Sequence, residues 1–477
     1  MFLSLPLELL VWVCNHVDEE SLLALRYVSR KLYPIATERL FSLISSEQPG
    51  PLYRAVRDKR LDIARIFLTK YSADINAEYA GCTPILLAVE ARNLEAVKFL
   101  LNEEDIDVNY QDHSGHSPLH CAILNSSLAI FERLISFEST NVNLPNWMGI
   151  PPITTSLLHN QSYMLQALLQ HPQIEINALD RLDQSPVMWA VERENYGALH
   201  ILGKDTRADF NCRDLSGDTP LLRAVKKHTE PSAIKLVDCL LCCNNIDINS
   251  KDKHLRTTFW YAVDSCSESL VRLLLDREGL EINEVDANGW TPLAVAATRG
   301  NLLILNLLLE QRNILVNAVS PGAVSPLLAA CSENDTTIVE RLVEQKGIAI
   351  NEIGRAHTRL LACSDRYKDT SYSLCTPLIC ACTMGYLDIV RLLINNENLD
   401  LNAVDGQGRT AFCWAAARGH RKICCLLLAQ PGIRIRLEDV NGVTAYHAPK
   451  IYRHPLVSVL CKALRSQSTK ERFSRYS

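Results

Sequence analysis

The stretch Asp286–Asn317, DANGWTPLAVAATRGNLLILNLLLEQRNILVN, shows the pattern that the rest of the chain repeats. Thr291 suits a helix N-cap, and Pro292 suits the first helical turn, where a missing N–H costs nothing. Gly300 ends this helix, and a second, strongly apolar helix covers 302–309. We therefore predict a turn followed by two helices, a repeat that needs a neighbour on each side to bury its apolar faces.

The Thr/Ser-Pro mark at the start of this repeat recurs, mostly at a spacing of 34 residues. A second mark, an aliphatic or aromatic residue followed by Asn, recurs in phase with it, as in Val316-Asn317. The first mark stands at Thr83, Ser117, Ser185, Thr219, Thr291, Ser325 and Thr376, with degenerate copies at Gly50, Pro151, Thr257, Thr410 and Thr444.

A period of 34 residues also suits tetratricopeptide repeats, so the residue types have to decide between the two families. The run from Ser117 to Ala122, Ser-Pro-Leu-His-Cys-Ala, resembles the Thr-Pro-Leu-His-x-Ala motif of ankyrin repeats. The resemblance implies an all-α ankyrin-repeat solenoid, in which β-hairpin loops connect helix pairs. We expect about twelve repeats over residues 50–465, followed by a polar, disordered tail over 466–477.

Two repeats depart from this period. The repeat that starts at Thr219 has four surplus residues, which we place between its two helices, around 227–231. The repeat that starts at Ser325 carries a longer insert near 352–371, in its hairpin region. Such an insert projects outward in a solenoid, either on the binding face or as a neutral loop.

Residues 1–45 form a separate segment, with three short helices predicted from its apolar spacing. Its Leu-Pro start, acidic turn and Val-Ser-Arg ending resemble the F-box, although Leu7 stands where that family usually has a polar residue. The resemblance implies docking onto the Skp-type adaptor of a cullin–RING ubiquitin ligase. The adaptor-binding residues that it implies are Leu5, Pro6, Leu9, Val13, Leu22, Leu25, Val28 and Leu32. The alternative is a helical cap that shields the first repeat.

Composition limits the partners and the compartment. The formal net charge of −5 gives no electrostatic reason to expect binding to nucleic acid or to an anionic membrane. The 17 cysteines are scattered, several of them in apolar helical segments, as with Cys380, Cys382, Cys424 and Cys425. This pattern indicates buried, reduced thiols, so we expect a cytoplasmic or nuclear protein that is a monomer within a larger complex.

Ankyrin repeats usually bind partners through the hairpin tips and the surface of the first helices. Side chains there do not support the stack, so large apolar or basic ones favour a binding role. We therefore predict an unknown target protein at Trp147, Met148 and Trp290, and at a basic group with Lys226, Lys227, Lys253, His254 and Arg256. The basic group suits an acidic peptide or phosphate, or is only a solvated face. Trp189, Tyr261 and Trp414 we interpret as packing residues.

No catalytic motif is visible in the chain. Phosphate-binding loops, His-Glu-x-x-His and Gly-x-Ser-x-Gly patterns are missing, and the Cys239/Cys242 pair has no second pair at zinc spacing. We therefore expect no enzyme activity, no cofactor and no metal. The leading hypothesis is a substrate receptor of an SCF-type ubiquitin ligase, and the alternative is an ankyrin scaffold without a link to a ligase.

Overall fold

The structure, a computed structural model, describes residues 50–442 apart from 72, 228, 244, 318–323, 356–373, 436 and 441. Over this range the chain forms successive pairs of short helices. The one sheet among the described residues has two strands. The bounds are α1 Pro51–Arg57, α2 Leu61–Tyr71, α3 Pro84–Glu90, α4 Leu94–Leu100, α5 Pro118–Leu124, α6 Leu128–Ile135, α7 Pro152–Leu158, α8 Ser162–Gln170, α9 Pro186–Glu192, α10 Tyr196–Leu202, α11 Pro220–Lys227, α12 Glu230–Leu241, α13 Thr258–Asp264, α14 Glu268–Leu275, α15 Pro292–Arg299, α16 Leu302–Leu309, α17 Pro326–Glu333, α18 Thr336–Val343, β1 Gly354–Arg355, β2 Leu374–Cys375, α19 Pro377–Met384, α20 Leu387–Ile394, α21 Ala411–Arg418 and α22 Arg421–Leu428.

The repeat over 286–317 forms as its sequence predicts. The Thr291 side chain accepts a hydrogen bond from the backbone N–H of Ala294, at 3.2 Å, and so caps α15. Gly300 takes the left-handed conformation with φ of 69°, which ends the helix. Leu293 and Ala296 of α15 and Ile304, Leu305 and Leu308 of α16 are buried, so the two helices of one repeat share a core with those of its neighbours.

The chain divides into two compact units. Among the described residues, the first unit holds 50–215 and 242–243, and the second holds 216–241 and 245–442. In each unit, the first helices of consecutive repeats pack side by side, and the second helices form an outer layer against them.

An asparagine ladder connects consecutive repeats inside each unit. Asn283 donates from its side-chain amide to the Asn313 carbonyl at 2.8 Å and accepts from the Leu315 N–H at 2.9 Å. The amide thus pairs with backbone groups one repeat further on, which gives the recurring Asn of the second sequence mark a structural reason. The same double contact is made by Asn76, Asn109, Asn143, Asn177, Asn249, Asn317, Asn351 and Asn402.

Two expectations about local structure are wrong. The surplus residues of the Thr219 repeat do not lie between its helices, because α12 begins right after Thr229 and is itself longer, with 12 residues. Glu230 and Pro231 suit the first turn of a helix, which explains this early start. Cys425 is exposed, because it lies on the outer side of α22, whereas Cys424 beside it is buried.

The insert in the Ser325 repeat lies mostly outside the described residues. Its two flanks are described, and they pair as the antiparallel strands β1 and β2, with Gly354 opposite Cys375. The pairing holds both ends of the insert together in the hairpin region, where the sequence places it.

Candidate partner-binding surface

A single side-chain oxygen of an Asp or Asn fixes the backbone of six hairpin tips. In the hairpin before α15, one oxygen of Asp286 accepts hydrogen bonds from the backbone N–H groups of Asn288 and Trp290, both at 2.9 Å. Asp112, Asn146, Asp180, Asp252 and Asp405 make the same pair of contacts in their own hairpins. Side chains at the tips therefore project from a backbone that is already ordered, which lowers the entropic cost of binding a partner.

Three successive hairpins of the first unit end in large apolar side chains. We call this set, Trp147, Met148, Leu182 and Leu215, the apolar hairpin row. Trp147 is 55% exposed and Met148 is 65% exposed, so the stack does not use most of their surface. The other two are 54% and 57% exposed. The sequence analysis identified Trp147 and Met148 but not the two leucines, although both stand at the same hairpin positions.

The close approach of neighbouring hairpins depends on Gly115. This residue has φ of 77°, and a Cβ added to it would lie 2.2 Å from Cδ1 of Trp147. The Trp147 N–H donates to the Ser114 carbonyl at 3.3 Å, which sets the two hairpins side by side. A side chain at 115 would push the Trp147 indole away from this position.

In the second unit, the basic group is interleaved with carboxylates. Lys226 Nζ lies 2.8 Å from Asp218 and 3.3 Å from Asp252, and Arg256 Nε lies 3.4 Å from Asp286. Burial alone would lower the pKa of Lys226, but its bond to Asp218 raises the pKa above the usual value. These pairs neutralise much of the charge that the sequence shows, which weakens the case for a phosphate there. Lys227, Lys253 and His254 are exposed.

Trp189, Tyr261 and Trp414 each connect a first helix to its own hairpin. The indole N–H groups of Trp189 and Trp414 donate to Asp180 and Asp405, both at 2.9 Å, and the Tyr261 hydroxyl donates to Asp252 at 2.7 Å. Burial, and then the bond to Asp252, raises the pKa of Tyr261. All three are half-buried. Their role as packing residues thus includes a hydrogen bond that holds the hairpin against the helix.

A buried histidine connects two neighbouring repeats in the first unit. His120, fourth in the Ser-Pro-Leu-His motif, is fully buried, with Nδ1 at 2.9 Å from the Ser117 hydroxyl. Its Nε2 lies 3.1 Å from the Ile150 carbonyl in the next hairpin. Burial lowers the pKa of this imidazole to about 4, so it is neutral at physiological pH. His120 therefore has a structural role, as a bridge between two neighbouring repeats.

Trp260 occupies the same motif position in the repeat that starts at Thr257. Its side chain is 6% exposed, yet its indole N–H has no hydrogen-bond partner in the described part of the chain. An unpaired buried donor costs about 1–3 kcal/mol, so its presence requires an explanation. The guanidinium of Arg256 lies over the indole, with Cζ 4.2 Å from the ring centroid.

Next to Trp260 the surface opens into a cleft of about 190 Å³, entirely within the second unit. It brings together two predicted site residues, Arg256 and Trp290, with residues that the sequence analysis missed. The signal for Trp260 was present, since a large indole replaces the histidine of the motif. The remaining walls are Asp264, Asp286, Asn288, Val295, Thr298 and Arg299.

The predicted adaptor-binding residues, from Leu5 to Leu32, lie outside the described residues. Within the described range, no group of three or more His, Cys, Asp or Glu side chains is arranged to hold a metal ion. Over the same range, no helix combines the length and the apolar character needed to cross a membrane.

Comparison with known proteins gives one family. The model described as "Ankyrin repeats (3 copies)" matches residues 52–146, 232–320, 259–354, 312–405 and 356–439, which together make up more than half of the chain. Among solved structures, the ankyrin repeat protein EF0377 is 24% identical over 42% of this chain and 100% of its own, with a TM-score of 0.38. The ankyrin repeat domain of Bcl-3, described as a unique member of the IκB family, is 24% identical over 48% of this chain and 99% of its own, with a TM-score of 0.44. Among curated proteins, no match was found.

Proposed function

Because the chain belongs to the ankyrin-repeat family, we propose that it works by binding proteins, as the substrate receptor of an SCF-type cullin–RING ubiquitin ligase. The array would hold a target protein, while residues 1–45 would dock the Skp-type adaptor and, through it, the cullin. The chain itself would carry out no bond chemistry. It would raise the effective concentration of the target at the ligase.

The observation that carries the binding function is the apolar hairpin row. Trp147 and Met148 stand on an ordered hairpin backbone and expose most of their surface to solvent. Burying them on a partner would gain the hydrophobic free energy that the stack leaves unused, about 25 cal/mol per Å² of apolar surface. Aromatic anchors of this kind dominate the binding energy of most protein interfaces.

The ligase assignment rests on the sequence of the N-terminal segment. Its Leu5-Pro6 start and Val28-Ser29-Arg30 ending stand at the spacing of the F-box, and a cap would not require both features. The reducing cytoplasm or nucleus is the compartment we propose, which fits the free thiols found among the described cysteines.

The target side is tested with a double variant, Trp147→Ala with Met148→Ala, in the full chain. We expect it to lose the proteins that the wild-type chain captures and ubiquitinates, because the apolar anchors are gone. Leu303→Ala is the matched control, since Leu303 is 63% exposed on α16, a second helix, away from the hairpins. An unchanged set of captured proteins in the double variant would contradict the role of the apolar hairpin row.

The second candidate function is an ankyrin scaffold in which the first 45 residues only cap the array. It shares the binding face and differs in one property, since a scaffold has no affinity for the adaptor. Adaptor binding therefore separates the two functions, whatever the target is.

A further inference from the structure

One repeat of the first unit carries no acidic or basic side chain apart from histidine. Residues 139–174 include no Asp, Glu, Lys or Arg, although these residue types make up 22% of the chain. We call this stretch the uncharged repeat. It holds the hairpin with Trp147 and Met148 as well as the helices α7 and α8, so the hairpin tip and the first helix of this repeat both lack charge.

The lack of charge includes the residue that orders the hairpin backbone. Five of the six hairpins that are ordered in this way use Asp, and the hairpin of Trp147 uses Asn. Asn146 Oδ1 accepts from the backbone N–H groups of Met148 and Ile150, at 2.9 and 3.0 Å, as the carboxylates do in their own hairpins. The backbone thus keeps its order, while the group that holds the tip is neutral.

The first helix of the uncharged repeat also differs from its neighbour. In the next repeat, the second carboxylate oxygen of Asp180 accepts from the Trp189 indole N–H at 2.9 Å. Thr155 takes the position of Trp189 in the uncharged repeat, and its hydroxyl donates to the Pro151 carbonyl at 3.2 Å. A carboxylate at position 146 would therefore not receive from this helix position the donor that Trp189 gives to Asp180, so hairpin and helix both suit a neutral group.

A partner that covers the Trp147 tip removes water from the groups around it. A carboxylate at position 146 would lose hydration, which is costly, whereas an amide oxygen that keeps its two backbone bonds loses much less. The tip is therefore suited to complete burial, as the centre of an interface is. Trp147 and Met148, which are 55% and 65% exposed, supply the apolar surface that such a centre needs.

The same lack of charge selects among targets. A Lys, Arg, Asp or Glu side chain of the target that reached this face would lose its water and find no opposite charge, so binding would be weakened. Charges return in the next hairpin, where Arg181 and Asp183 are exposed and the Arg181 N–H donates to the Met148 carbonyl at 3.5 Å. The face therefore favours an uncharged, apolar segment and leaves the charged residues of the target at its edge.

We propose that the uncharged repeat is the centre of the target interface, that it binds a segment of the target made of uncharged apolar residues, and that Asn146 contributes to this preference by keeping the hairpin neutral. The inference rests on the proposed function, because it assumes that the array binds a target. It adds a buried residue, Asn146, to the exposed side chains that determine which target fits.

The test is a selection from a random dodecapeptide library, displayed on phage, with the purified full chain as bait and the Trp147→Ala chain as counter-selection. We expect the retained peptides to share an apolar run without Asp, Glu, Lys or Arg. In a synthetic peptide of this kind, Lys or Asp in the middle of the run should weaken binding about tenfold more than Gln at the same position. Because both signs of charge should fail, the comparison separates an uncharged face from a charged one.

A protein variant then tests Asn146 itself. Asn146→Asp keeps an oxygen for the two backbone bonds but adds the charge, so the same peptides should bind about tenfold more weakly. Asn160→Asp is the matched control, because it adds the same charge in the same repeat at an exposed position after α7, and it should leave the affinity unchanged. Far-UV circular dichroism and urea unfolding check that both variants are folded. If Asn146→Asp does not fold, the peptide comparison on the wild-type chain decides.

Three results would overturn the inference. They are Trp147-dependent peptides with charged residues in their centre, a folded Asn146→Asp chain that binds the peptides as tightly as the wild type, and no enrichment over the Trp147→Ala chain. The first two would leave the array as a binding module with another preference. The third removes the uncharged repeat as a peptide site, and adaptor binding and target capture still test the proposed function separately.

Discussion

His120 and Trp260 show how one side chain at one motif position changes the contact between two repeats. The imidazole is short enough to bond both its own N-cap and the next hairpin, at 2.9 Å from Ser117 Oγ and 3.1 Å from the Ile150 carbonyl. The indole is larger and has a single donor, so its repeat keeps an open cleft and an unpaired N–H among the described residues.

The first prediction concerns the pH dependence of stability. Because the pKa of His120 falls from 6.5 to about 4 on folding, the unfolded chain binds a proton before the folded chain does. The contribution of His120 is complete above pH 6.5 and decreases as the pH falls from 6.5 to 4, by up to about 3 kcal/mol. Urea unfolding at pH 7.5, 5.5 and 4.5 measures it. His120→Gln should be less stable at pH 7.5 and show a smaller loss on acidification, and equal losses in both chains would disprove the assignment.

The second prediction concerns the bond between Tyr261 and Asp252. Tyr261→Phe removes a hydrogen bond of 2.7 Å to a buried carboxylate, and we expect the free energy of unfolding to fall by about 1–2 kcal/mol. Tyr163→Phe is the control, because its hydroxyl bonds Glu132 at 3.2 Å on the exposed surface. Its cost should lie within about 0.5 kcal/mol of zero. Equal urea midpoints for the two variants would contradict the proposed role of Tyr261.

At this scale the sequence predicts residue types better than their partners. Because the positions of Trp147, Met148 and Trp290 in the repeat are known, the sequence indicates that the packing of the repeats does not account for these large side chains. It does not show that Lys226 pairs with Asp252 or that Arg256 pairs with Asp286, since these contacts arise only when different repeats lie side by side. The sequence does not predict the cleft at Trp260 for the same reason, because its walls come from different repeats.

The asparagine ladder is the feature that orders neighbouring hairpins at the scale of elements. Each amide bonds two backbone groups of the next repeat, so a single side chain both joins and spaces two turns. The contact with the next repeat, in addition to the turn that contains each Asn, explains why Asn recurs at this position in the sequence.

A third prediction tests the ladder at Asn283. Asn283→Ala leaves the Asn313 carbonyl and the Leu315 N–H without their partner, at a half-buried position, and we expect a loss of about 1–2 kcal/mol. Hydrogen exchange of the Leu315 amide should also become faster. Asn288→Ala, in the same repeat but exposed at the hairpin tip, should change neither quantity. If the ladder did not contribute to the free energy of unfolding, both variants would give the same result.

Helix bounds follow from the sequence wherever a Thr/Ser-Pro start and a Gly end are both present, as in α15. They fail at α12, because a helix that begins with Glu230-Pro231 can lengthen without breaking the turn pattern on which the period is based. The exposure of Cys425 was missed because an apolar helix does not reveal which of two adjacent cysteines faces outward.

At the scale of the whole molecule, the proposal divides the work between two parts of the chain. The array presents ordered hairpin tips and a cleft, and the N-terminal segment carries the pattern of the F-box. Twelve repeats over 50–465 and the segment bounds 1–45 and 466–477 stay predictions, as do the adaptor-binding residues. If both parts act as proposed, target ubiquitination depends on each of them separately, since proximity requires both contacts at once.

The fourth prediction follows from this division. A chain with Leu9→Asp and Leu25→Asp should still bind its target but lose ubiquitination of it, because charged side chains would disrupt the apolar adaptor contact. Trp147→Ala with Met148→Ala should do the reverse, binding the adaptor while losing the target. Loss of both activities in either variant would mean that the two parts are not independent.

The most direct test of the central claim is isothermal titration calorimetry of the purified Skp-type adaptor against the full chain and against residues 46–477. Both proteins are first checked for helical circular dichroism. The proposal predicts saturable binding to the full chain and none to the shorter one. A folded full chain that does not bind the adaptor would contradict the receptor function, and the first 45 residues would then be a cap on an ankyrin scaffold.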